Sequence, residues 1–187
     1  MWSTEGVLRM APSQTGKSTR SERRTPDLSE FPDLVVIYLG MKARSLRGIK
    51  TLLSFGPKIQ KSVAEKPDGL LLHENMVFSL FPLHAGMRQY WRDFESLERW
   101  TRTGAHKQWW QKYLGDTGGT GFWHELYVRN GEMEGAFIDI EKTGMTRFAP
   151  TAPSRGTMFS ARRRLRRAGE EAVPSVYSEE ELYGAPK

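Results

Sequence analysis

"DLVVIYLGMK", residues 33 to 42, decides the fold. From Leu34 to Met41 every side chain is apolar apart from Gly40, which has none. The β-branched residues Val35, Val36 and Ile37 favour extended chain. A strand with one wet face alternates apolar and polar residues, and this run does not alternate. It therefore reads as a central strand covered on both faces. It is also far too short to span a bilayer.

The elements on its C-terminal side follow from periodicity. "RSLRGIKTLLSFGPKIQKSVAEK" places Leu46, Ile49, Leu52, Leu53, Ile59 and Val63 at helical spacing. Gly56-Pro57 is expected to break or kink that helix. Pro67-Asp68-Gly69 is a turn. "LLLHENMVFSLF" (70 to 81) and "GMRQYWRD" (86 to 93) read as two strands joined through "PLHA". Asp93 is placed to cap the helix "FESLERWTRT", and Thr103 to cap "AHKQWWQKYL". "FWHELYVRN" (122 to 130) and "MEGAFIDIEK" (133 to 142) are the last two strands, joined by a tight turn. The order β-α-β-β-α-α-β-β is an α+β arrangement, a ferredoxin-like antiparallel sheet with helices on one face. The bare face needs cover, and a second copy supplies it most simply, so a homodimer is expected.

Composition sets the limits of the domain. Hydrophobic residues make up 38% of the 187, a low share for one compact unit. The deficit lies at the ends, which are rich in Ser, Thr, Pro, Arg and Glu. Residues 1–32 are expected to be a flexible leader, 33–149 the folded domain, and 150–187 a basic then acidic, partly helical tail. In "SARRRLRRAGEEAV", Arg166 and Arg167 stand four residues before Glu170 and Glu171, which suits an exposed helix. The net charge of +6 is spread along the chain, so no nucleic-acid partner is expected. With no cysteine, disulfides, thiolate metal sites and a cysteine nucleophile are excluded. No apolar leader of secretory type is present, and the expectation is a cytoplasmic protein with no membrane partner.

"APSQTGKST", residues 11 to 19, spells a relaxed phosphate-binding loop. Its chemistry needs a buried strand before it and a helix after it. Neither "EGVLRM" nor "TRSERRTPDLSE" provides one, and the match is rejected. No histidine pair has a zinc-ligand spacing, and no Gly-rich dinucleotide fingerprint follows a strand.

The chemistry-bearing candidates are aromatic and imidazole. In "HKQWWQKY", His106, Trp109, Trp110 and Tyr113 fall on one helix face. That face is either ordinary core or the wall of a pocket holding a working histidine. A neutral imidazole near a helix start can accept a proton or bind iron. In "FWHELYV", alternation puts Phe122, His124, Leu126 and Val128 on one face and Trp123, Glu125, Tyr127 and Arg129 on the other. The first set is more apolar and is assigned to the helix side. Glu125 then points away, toward an ion pair with Arg88 or Arg129, although a one-residue slip would exchange His124 and Glu125. Trp91 shares its parity with Met87 and Gln89 and is expected to be a pocket wall. His84 is expected in a solvated hairpin loop.

"VVIYLGMK", "GLL" at 69 to 71, "QYWRDFESLERW" at 89 to 100, "HKQWW" and "GTGFWHELYV" at 119 to 128 also carry a resemblance. Together they resemble the dimeric α/β-barrel proteins grouped as monooxygenase-like, after a member in fumagillin biosynthesis. Aldoxime dehydratases and haem-degrading monooxygenases are more distantly similar. The likeness runs from about Val35 to about Phe148. It implies a ligand cavity between helices and sheet, with His106 and His124 facing it from opposite sides. It implies catalytic roles for His106, His124 and Glu125, and pocket roles for Trp91, Trp109, Trp110, Tyr113 and Phe122. The implied cofactor is none or haem, with His106 or His124 as iron ligand. The implied function is a monooxygenase-like enzyme of secondary metabolism acting on a small hydrophobic substrate. The alternatives are a haem-dependent dehydratase or haem-oxidising enzyme, and a homodimer that binds a small ligand without catalysis. "DIEKTGMTRFAP" departs from the Gly-rich Asn-Met-Pro-Pro loop of relatives, with Asp139 near the Asn position, so a different ligand or the lack of the family's activity is expected if that loop closes the pocket.

Overall fold

The computed structural model describes residues 21–102, 104–131, 133–140, 142–165 and 178–183. The phosphate-loop look-alike, Thr103 and the Arg166–Glu171 stretch lie outside these residues, as does the side chain of Trp110. Strands β1 (Arg23–Pro26) and β2 (Val35–Ala43) precede helix α1 (Leu46–Ala64). The hairpin β3 (Leu70–Ser79) and β4 (His84–Trp91) leads into α2 (Phe94–Arg102) and α3 (Gly104–Gly115). Then come β5 (Thr120–Val128), β6 (Phe137–Ile138), β7 (Thr151–Pro153), α4 (Ala161–Arg164) and α5 (Glu179–Tyr183).

The main sheet is antiparallel in the order β3-β4-β2-β5, the ferredoxin-like arrangement expected. β2 is its inner strand, paired with β4 from Val35↔Trp91 to Lys42↔His84 and with β5 from Val35↔Val128 to Ala43↔Thr120. Two cores explain why the strand does not alternate. On the helix side, Val35 and Ile37 pack with Trp91 and Leu97, flanked by Trp100 and Leu126. On the other side, Val36 and Leu34 pack with Leu28, Leu72, Tyr90, Met145 and Ala149.

The second core changes the expected layout at both ends of the chain. Residues 21–32, part of the expected leader, are ordered and docked: β1 lies between β6 and β7 in a separate three-stranded sheet. Arg129 holds this segment in place. Its guanidinium donates to the carbonyls of Leu28 at 2.6 Å, Phe31 at 2.7 Å and Gly131 at 2.9 Å. The expected final strand 133–142 shrinks to β6 and pairs with β1 rather than with the main sheet. Part of the sheet face assigned to a second copy is thus covered by the chain itself.

Of the other local signals, the α2 cap is obeyed and the α1 break is not. Asp93 caps α2, its Oδ1 accepting from Ser96 N–H at 2.7 Å. α1 continues through Gly56-Pro57 as one helix, so the expected break does not occur. Gly40 and Gly86 face each other across β2 and β4, and a Cβ on Gly40 would meet the Trp123 indole nitrogen at 2.7 Å. Only glycine lets that indole lie across the sheet.

Candidate functional site

The three helices do not close down on the sheet. They leave a cavity of about 510 Å³ between them and the strands. Its floor is Ile37, Leu39 and Met41 of β2, Met87 of β4, and Phe122, His124 and Leu126 of β5. Its walls include Phe55 and Ile59 of α1, Leu97 and Trp100 of α2, and His106, Trp109 and Tyr113 of α3. The register explains the floor. Leu39 pairs with His124, Met41 with Phe122 and Ile37 with Leu126, so all point to one face. His106 and His124 therefore border one space, together with Trp109, Tyr113 and Phe122.

His106 is held in a defined state. Its Nδ1 lies 3.0 Å from the Thr101 carbonyl oxygen, which can only accept. Nδ1 thus carries the hydrogen and Nε2 is the unprotonated nitrogen. The ring packs against Trp100 at 4.9 Å and Trp109 at 6.3 Å between centroids. Burial among these apolar surfaces pushes the imidazole pKa down, against the smaller upward pull of the Thr101 hydrogen bond. His124 is more exposed and its ring is tilted against that of Phe122, with 5.9 Å between ring centroids. Thr120 gives its hydroxyl hydrogen to the Thr117 carbonyl at 2.7 Å, so the Tyr113 hydroxyl donates to Thr120 Oγ1 at 3.4 Å.

Two residues expected at the site do not border this cavity, and of these Glu125 lies on the face that strand parity assigned to it. Trp91 is not part of the cavity lining; it is fully buried, its ring packed at a tilt against Trp100 with 5.3 Å between centroids. Glu125 lies on the opposite sheet face, beside a second hollow of about 550 Å³ lined by Tyr38, Arg88, Tyr90, Tyr127 and Met145. It forms neither expected ion pair. It accepts from the Tyr127 hydroxyl at 2.7 Å, while Arg88 pairs with Glu74 at 2.6 Å. Glu74 also accepts from Gly144 N–H at 3.2 Å, tying the C-terminal segment to the sheet. Of the described residues in "DIEKTGMTRFAP", Met145 borders this second hollow and none lines the helix-side cavity. Asp139 bonds to the backbone of Glu22 instead.

Gln89 belongs to no motif that singles it out in the sequence. It is fully buried, borders the cavity, and sits in a chain of hydrogen bonds. The Trp91 indole donates to Gln89 Oε1 at 3.1 Å, because an indole N–H has no other role. Gln89 Nε2 must then donate to His73 Nδ1 at 3.1 Å, and His73 Nε2 to Asn75 Oδ1 at 3.2 Å. His84 is likewise fixed. It belongs to β4, not to a solvated loop, accepts from Trp123 Nε1 at 2.7 Å and packs on Phe78. Among the described residues, no group of three or more His, Asp or Glu is placed to hold a metal ion.

A family model described as Monooxygenase af470-like matches residues 34–145. The chain belongs to that family. Its matched region contains the whole main sheet, α1 to α3 and every residue of the cavity lining. No curated protein matches this Monooxygenase af470-like chain. Among solved structures, an aldoxime dehydratase aligns at 22% identity and TM-score 0.56, covering 71% of this chain and 39% of its own. An aldoxime dehydratase in complex with butyraldoxime aligns at 20% identity and TM-score 0.57, covering 71% and 38%. This family member thus spans about two fifths of their length, and the likeness shows the shared fold. SnoaB, a cofactor-independent oxygenase from Streptomyces nogalater, aligns at 11% identity and TM-score 0.40, covering 51% and 91%. No helix among the described residues is long and apolar enough to cross a membrane.

Proposed function

We propose that this protein is a monooxygenase-like enzyme acting on a small hydrophobic, aromatic metabolite bound between helices and sheet. The observation that carries this reading is His106, whose unprotonated Nε2 belongs to an imidazole bordering an aromatic cavity. A group of that kind takes a proton from a carbon made acidic by a neighbouring carbonyl. The resulting carbanion is an electron donor to oxygen, and the net change converts CH₂ and O₂ to C=O and H₂O without a further reductant. The lowered pKa keeps His106 neutral, and so basic, at neutral pH. The apolar walls exclude water that would reprotonate the carbanion. His124, across the cavity, is the partner that returns or relays the proton. A homodimer through the uncovered part of the opposite sheet face, around Trp123 and Tyr127, completes this reading.

The same Nδ1–H bond to Thr101 supports a second reading. A histidine that donates from one nitrogen to a carbonyl is oriented to ligate iron through the other. The apolar walls suit a haem, with His106 or His124 as its ligand. Bound haem would supply a redox-active iron that activates oxygen or polarises an N–O bond. The aldoxime dehydratase likeness is the support for a dehydratase of this kind.

Absorption of the purified protein separates the two, since haem gives a strong Soret band and the first reading expects a colourless protein. Oxygen uptake with aryl ketones bearing an acidic CH₂ then tests the chemistry. Uptake is expected with the wild type and is lost in His106→Ala. A colourless protein that binds such ketones without consuming oxygen is a small-ligand binder and not an enzyme of this class.

A further inference from the structure

We propose that the end of the main sheet carrying the β3–β4 turn is a docking surface for an anionic lipid bilayer. Leu80 and Phe81, adjacent in that turn, are 81% and 96% exposed, and Leu46 at the start of α1 is 85% exposed. The Leu83 carbonyl accepts from Ala43 N–H at 2.9 Å, which sets the turn beside the β2–α1 junction and hence beside Leu46. Arg47 pairs with Asp116 at 2.5 Å, bringing in the end of α3, where Leu114 is 68% exposed. Four large apolar side chains thus stand in water at one end of the molecule. Surface leucines scattered singly need no explanation, but a group rimmed by charge does.

The rim is basic. Residues 42 to 50 read "KARSLRGIK", in which Lys42, Arg44, Arg47 and Lys50 are all exposed and no acid intervenes. Lys112 of α3 is exposed too, and Asp116 is already engaged by Arg47. Protruding apolar side chains within a ring of cations match a membrane interface with anionic headgroups, where burial and charge add. A nucleic acid would use the cations but gain nothing from three exposed leucines. The described parts of the terminal segments that cover the sheet pack around Val36 and Tyr90, near the opposite end of the sheet. Met41, Tyr113 and Phe122 carry the cavity lining toward the docked end, so a hydrophobic ligand dissolved in the bilayer would lie near it. The docking itself stands whatever reaction the cavity performs.

The test is co-sedimentation of the full chain with phosphatidylcholine vesicles, with and without phosphatidylserine. Binding is expected only with phosphatidylserine and is expected to weaken as salt rises from about 0.1 M to about 0.5 M. Leu80→Ser with Phe81→Ser should weaken it about tenfold or more, with an unchanged circular dichroism spectrum, because exposed side chains hold no core together. Arg44→Glu with Lys50→Glu should weaken it similarly. No sedimentation of the wild type, or equal sedimentation of the Leu80/Phe81 variant, overturns the proposal. So does a wild-type dimer that the same variant converts to monomer, which would make a second copy the occupant.

Discussion

His106 and Trp91 separate site from support. Both are large rings on the helix side of the sheet, but only His106 borders the cavity. Trp91→Ala removes a fully buried indole and is expected to cost about 3–5 kcal/mol in urea unfolding. His106→Ala is expected to cost about 1 kcal/mol while removing activity. Equal losses would place His106 in the core. The histidines also predict a pH response. Burial is the main cause that lowers the pKa of His73, His84 and His106, and in two of them a ring nitrogen accepts a hydrogen bond that protonation would abolish. The unfolded chain then binds protons below about pH 6.5 that the folded chain still refuses. Stability should be full above that pH and fall as the pH drops below it, levelling off only below the lowered folded values. A melting temperature unchanged between about pH 7 and pH 5 would contradict this. Strand parity placed His124 and Glu125 on their correct faces. It could not separate Trp91 from the cavity lining, because parity assigns a face and not a depth, and depth is set by where α2 lays Trp100 over Trp91.

Elements with a strong period were legible, and short ones were not. β2, α1 and the β3–β4 hairpin each carry a long apolar pattern, and the structure places them within a few residues of the expected bounds. "RRTP", "FI" and "TAP" are two to four residues long, contain two prolines and have no alternation. Nothing in such segments distinguishes strand from coil; they are strands because they meet one another. Residues 21–32 therefore read as a leader although Leu28 is buried and Thr25 sits in the small sheet. A chain beginning at residue 33 is expected to melt well below one beginning at residue 21, since it loses β1, the Leu28 contact and the partners of Arg129. Leu28→Ala alone should cost about 2–4 kcal/mol. Identical melting of the two truncated chains would show that this segment adds nothing.

At the scale of the whole molecule, the ferredoxin-like sheet was readable from element order, since consecutive antiparallel strands and one-sided helices leave few topologies. The cover on the other face was not, because it comes from both termini at once. That arrangement has a consequence for how the protein is made. β1 occupies the middle of its sheet, yet Arg24 meets Thr151 across a separation of 127 residues. On the ribosome, β1 emerges first and can pair only after β6 and β7 have been synthesised. The main sheet, whose strands all precede residue 129, can form while β1 waits. The small sheet should be the last unit to assemble and the first to open. In native-state hydrogen exchange, the backbone amides of Arg24 and Thr25 are expected to exchange through a smaller opening than those of Val36 and Ile37. Simultaneous exchange of the two strands would mean that the terminal sheet and the main sheet unfold as one.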